Sequence, residues 1–83
     1  MRDALSALRA ARTRVQVARR ELEVARRLEA AERSRFELGE GTLLLVNLRE
    51  QASTEAALRE VDALADFHRA MASYRAATGD SQR

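Results

Sequence analysis

A chain of 83 residues holds at most one small domain, and this one, with no Pro, Trp or Cys, only 3 Gly and 17 Ala, is built for helix. Scarce β-branched and aromatic residues leave little to form a sheet, and the absence of Cys excludes a disulfide framework or a Cys-based metal site. All 15 basic residues are Arg, set against 13 acids, so the net charge of +2 is too small to demand a polyanionic partner.

The N-terminus, Met1-Arg2-Asp3-Ala4-Leu5, lacks the apolar core of an export signal. The first helix is expected from about Asp3 to Leu38. Along it Ala4, Leu8, Ala11, Val15, Ala18, Leu22 and Ala25 recur at alternating spacings of four and three. Such spacing places every member on one stripe, the seam of a two-helix contact. The series weakens at Glu29 and Glu32 and resumes at Phe36. Val17, Val24, Ala31 and Leu38 recur every seven residues on a neighbouring stripe. Two apolar stripes on one helix point to more than one neighbour, and so to a bundle or a ring of helices. The Arg residues of this half are scattered round the cylinder among Glu, which reads as a solvated, salt-bridged surface. No nucleic-acid partner is expected.

The turn falls in Leu38-Gly39-Glu40-Gly41-Thr42. Gly39 or Gly41 suits the left-handed residue just past a helix end. Thr42 suits the N-cap of the next helix, although no Glu or Gln three residues on completes a capping box. So short a connection between long helices makes them antiparallel neighbours.

The second helix is expected from Leu43 to about Thr78, with a seam of Leu45, Leu48, Ala52, Leu58, Val61, Leu64, Phe67 or His68, Met71 and Tyr74. Gln51-Ala52-Ser53-Thr54-Glu55 is more polar, a candidate soft spot. Gly79 fits a C-cap, and residues 80–83 fit a frayed tail. The longest apolar run, Leu43 to Val46, is far too short to span a bilayer. Yet Leu43, Leu44, Leu45, Val46 and Leu48 cover more of the helix circumference than one partner can bury. Something beyond the hairpin is expected to touch this apex. With helices of about 54 Å and a thin core, the isolated chain is expected to self-associate or to need partners.

Catalytic chemistry finds no foothold. His68 is the one His, and the helix-borne pairs Glu29 with Glu32 and Glu55 with Asp62 have no His at ligand spacing. They read as solvated face charges, and His68 as a packing residue at a helix contact. No enzyme activity, cofactor or metal is expected.

The apex resembles the outer-membrane efflux protein family, the TolC-like channel components of bacterial tripartite pumps and type I secretion systems. The family's repeat carries an aromatic, then Gly, then Ser or Thr, then an apolar run. Phe36, Gly39, Thr42 and Leu43-Leu44 match it. Asp62-Ala63-Leu64-Ala65-Asp66-Phe67-His68-Arg69-Ala70, with Tyr74-Arg75-Ala76-Ala77 and Gly79, is similar to the returning helix of the family's second repeat. Leu45 and Asn47 stand where the family often has Asp and Leu. The resemblance implies a periplasmic tunnel hairpin of a trimeric channel, with the tip Phe36, Gly39, Glu40, Gly41, Thr42 and Leu43 docking the α-hairpin of a periplasmic adaptor protein. It implies an outer-membrane or periplasmic location, and membrane contact only through a barrel that lies outside this chain, which would then be a fragment. The other reading is a free-standing coiled-coil scaffold or protein-interaction module.

Overall fold

The computed structural model describes residues 2–79 and is an all-α hairpin, α1 over Arg2–Glu37 and α2 over Leu43–Thr78. The expected tail at 80–83 lies outside the described residues. The two helices lie antiparallel in a rod of 61 × 16 × 16 Å. Both expected caps of α2 are present. The Thr42 hydroxyl accepts from the Leu45 N–H at 3.2 Å, and Gly79 closes the other end at φ +83°. Polar Gln51 to Glu55 does not interrupt the helix. Its Thr54 hydroxyl donates back to the Glu50 carbonyl at 3.1 Å, a bond that keeps the side chain on the helix surface.

The seam on α1 follows the expected stripe. Ala11, Val15, Ala18 and Leu22 are buried and Leu8 and Ala25 half-buried. Three of these buried residues are Ala or Val, so the partner backbone comes close, and the position opposite must itself be small. This selects the phase of α2. Its buried residues are Val46, Ser53, Ala56 and Ala63, continued by half-buried Phe67, Ala70 and Tyr74. Leu64 and Phe67 close over the cluster of Val15, Ala18 and Ala63.

The leucine-based seam expected on α2 is therefore corrected. Leu45, Leu48, Leu58 and Val61 are exposed, Val61 to 58%, and His68 is exposed as well, its ring edge-on to Phe67 at 5.9 Å. Ala52, Leu64, Met71 and Tyr74 are half-buried at the flank or edge of the seam. Apolar residues wrap all sides of α2, so volume alone pointed to the wrong side. The small residues a half-turn away meet the steric demand of α1.

Among the described residues three ion pairs stitch the helices across the seam: Arg19 to Glu60 at 3.3 Å, Arg33 to Glu50 at 3.4 Å and Arg59 to Glu21 at 3.7 Å. Two join an Arg of α1 to a Glu of α2, and the third runs the other way. Apart from half-buried Glu60 their side chains are largely exposed, and each pair contributes at most a few tenths to about 1 kcal/mol. Their use is registry more than strength.

Candidate interaction surface at the hairpin tip

The tip is a rigid turn rather than a slack loop. Gly39, at φ +81°, takes the left-handed position. Its N–H donates to the Phe36 carbonyl at 3.0 Å, and the Glu40 N–H reaches the Arg35 carbonyl at 2.8 Å. This pair of bonds is a Schellman closure, which satisfies the Arg35 and Phe36 carbonyls near the end of α1. The Gly41 N–H shares the Arg35 carbonyl at 3.3 Å. Of the two candidates, Gly39 is thus the conformational glycine. Gly41 serves closeness instead. A Cβ built on it would stand 2.8 Å from Glu32 Oε2 and 3.4 Å from the Phe36 amide nitrogen. The chain here lies flat against the end of α1.

Around this turn sits an apolar rim. Leu38 is 76% exposed and Leu44 67%, with Leu43, Leu45, Leu48 and Phe36 also open to solvent. The expected tip residues Phe36, Gly39, Glu40, Gly41, Thr42 and Leu43 are brought together at one end of the rod, and all but Gly41 are exposed. The most exposed apolar residues, Leu38 and Leu44, lie outside that expected set. Their signal was present in the sequence, since Leu38 ends the second stripe of α1 and Leu44 lies in the run that no single partner can cover.

A second departure is Glu32. Expected as a solvated face charge, it is only 7% exposed, and its Oε2 has no hydrogen-bond partner. Arg35 stands at 3.7 Å, close enough for attraction but beyond hydrogen bonding. Ser53, 8% exposed, likewise leaves its hydroxyl without a partner. Both follow from the seam spacing. Glu32 falls where the four-and-three series of α1 continues, and Ser53 occupies the matching line on α2. The tip-side part of the seam is therefore polar and the rest apolar. Arg33, nearby, hydrogen-bonds Glu29 at 2.8 Å and also faces Glu50, and the two carboxylates hold its pKa above the ordinary arginine value. It stays charged at any working pH.

The chain matches no family model, no curated protein and no solved structure. Among the described residues no helix is long and apolar enough to cross a membrane, and no group of acids and His is placed to hold a metal.

Proposed function

We propose that the chain is a tunnel hairpin of a TolC-like efflux or secretion channel and that its tip docks the helical hairpin of a periplasmic adaptor. The observation that carries this is the leucine rim on a capped, hydrogen-bonded turn. Leu38, Leu43 and Leu44 stand out in water around a turn in which the amides of Leu38 to Gly41 bond back to the end of α1. A patch of large apolar side chains at the end of a rod marks a contact site. Gly39 beside it, with open space around its Cα, lets a second backbone approach, and an amphipathic helix pair supplies matching knobs.

The test is direct binding of the purified chain to the α-hairpin of an adaptor from the same genome. Binding is expected for the native sequence and lost for Leu38→Glu with Leu44→Glu, whose helicity by circular dichroism stays native. Equal binding by both proteins, or none by the native chain, overturns the proposal.

A second reading, a free-standing coiled-coil module, is favoured by one observation. The turn and the caps of α2 are completed by residues of the hairpin itself. Native-like helicity without adaptor binding supports that reading.

A further inference from the structure

The four-and-three series of α1 does not stop where the helix stops. Counted on from Ala25, it passes through Glu29, Glu32 and Phe36 in the helix, Gly39 in the turn, and Leu43 and Val46 at the start of α2. Val46 is the residue with which the buried seam of α2 begins. One line of every seventh residue, from Ala4 through Ala18, Glu32, Gly39, Val46 and Ser53 to Tyr74, therefore serves the seam on both helices. In the hairpin the turn breaks this line, and the seam-series residues beside the break lie open: Phe36 is 41% exposed and Leu43 57%.

Little but glycine interrupts the helix there. The chain has no Pro, and residues 38–42 hold two of its three glycines, the weakest helix formers after Pro. Each glycine also favours the closed turn by a mechanism of its own. Gly39 sits at φ +81°, where a side chain is strained, and a Cβ on Gly41 would stand 2.8 Å from Glu32 Oε2. An alanine at either position penalises the turn and favours continuous helix at once. The amides of Gly39, Glu40 and Gly41, held here by the Phe36 and Arg35 carbonyls, would find carbonyls four residues back in such a helix.

A straightened chain gives up its own seam partner, and a second copy supplies it. Two such helices laid antiparallel restore the α1–α2 seam of the hairpin, each contact now between copies. Only the centre is new. Stepping inward from Arg33–Glu50, the cross-seam pair nearest the tip, Phe36 comes level with Val46 and Asn47, and Gly39 with Leu43 and Leu44. Phe36 is then enclosed against Val46 and Leu43 against Gly39, the large-on-small matching that the rest of the seam uses. The centre is self-complementary, since Phe36 of one copy meets Val46 of the second and Val46 of the first meets Phe36 of the second.

We infer that residues 38–42 are a hinge. Opened into helix, they let two copies exchange α2 and close as a dimer of two continuous antiparallel helices, while Gly39 and Gly41 hold the single chain in the hairpin. The segment that opens is short, and the interface gained is the hairpin's own seam extended through its middle, which makes exchange a low-cost route to a dimer. The contact uses the inner faces of the helices and ends at two copies. Leu38 and Leu44 lie off its line, so it does not rest on the adaptor proposal, and neither outcome of that binding test bears on it.

Energy transfer within one labelled chain tests it. The chain has no Cys, and Ala7 and Ala72 are exposed at the end of the rod away from the tip, so dyes on Ala7→Cys, Ala72→Cys lie close in the hairpin. In a continuous helix they stand about 98 Å apart, too far for transfer. The labelled chain is unfolded and refolded with a large excess of unlabelled chain over a concentration series, with mass read by sedimentation and helicity by circular dichroism. Dilute native chain is expected to be a monomer with full transfer. Gly39→Ala with Gly41→Ala is expected to form dimers that have lost transfer, at concentrations roughly a hundredfold or more below those at which the native chain does so. Adding Phe36→Glu and Leu43→Glu, open to water in the hairpin but enclosed in the exchanged centre, returns this variant to a monomer with full transfer. The inference is overturned if the Gly39→Ala, Gly41→Ala chain keeps transfer at every concentration, monomeric or dimeric, or loses it as a monomer. It is overturned equally if the two glutamates leave the exchanged dimer intact.

Discussion

At the scale of single residues, the two tip glycines perform different work, and substitution separates them. Gly39 has open space around its Cα but a φ of +81°, so an alanine there meets no atom and suffers only from its own backbone. Gly39→Ala is expected to cost about 1 kcal/mol, a fall in Tm of ~4–8 °C for a chain of this size. Gly39→Asn, with an αL-tolerant side chain, should lose less. Thermal melts followed at 222 nm measure both, and an unchanged Gly39→Ala melt would contradict the assigned turn. Buried Ser53 offers a test of the opposite sign. Its hydroxyl is enclosed without a partner, so Ser53→Ala removes a desolvation cost and leaves a small residue where the seam wants one. Stability is expected to rise, by up to about 1 kcal/mol.

At the scale of elements, the boundaries of both helices were legible because Gly39, Thr42 and Gly79 are strong punctuation with local mechanisms. So was the seam of α1, where Ala alternates with Leu or Val on a stripe flanked by Arg and Glu. The phase of α2 was not. Its apolar residues lie on every side, so a sum over its own sequence cannot say which of them faces α1. Leu45, Leu48, Leu58 and Val61 are larger than Ser53, Ala56 and Ala63, and transfer free energy alone would bury them first. Fit against a close-packed partner decided otherwise, and that information resides in α1. Chemical denaturation can check this phase. Ala56, 1% exposed, has no room, and Ala56→Leu should cost about 1–3 kcal/mol by forcing the helices apart. Val61→Ala should change stability by less than about 0.5 kcal/mol. The reverse ranking would restore the leucine seam. At the tip, the turn could be derived from sequence but the burial of Glu32 could not, because a charged residue on a seam line is usually expected to turn outward to water.

At the scale of the whole molecule, a rod two helices thick encloses little. Among the described residues no large side chain is fully buried, and the core is a row of small residues with a polar stretch toward the tip. Burial this thin gives a small margin over conformational entropy, so a contact between copies, where one forms, would add directly to folded-state stability. Self-association, as expected for so thin a core, should make Tm rise with protein concentration. A concentration-independent Tm in the native chain would mean that the hairpin is stable alone. The antiparallel path also has a mechanical meaning. Arg2 and Gly79 end up at the same extremity of the rod, with the leucine rim at the other. Tension applied between these ends does not shear the whole seam at once. It opens the hairpin like a zipper, loading a few residues at a time from Ala4 and Tyr74 inward. Val15, Ala18 and Ala63, closed over by Leu64 and Phe67, form the first brake on that opening, and the tip is the last part of the molecule to feel the pull.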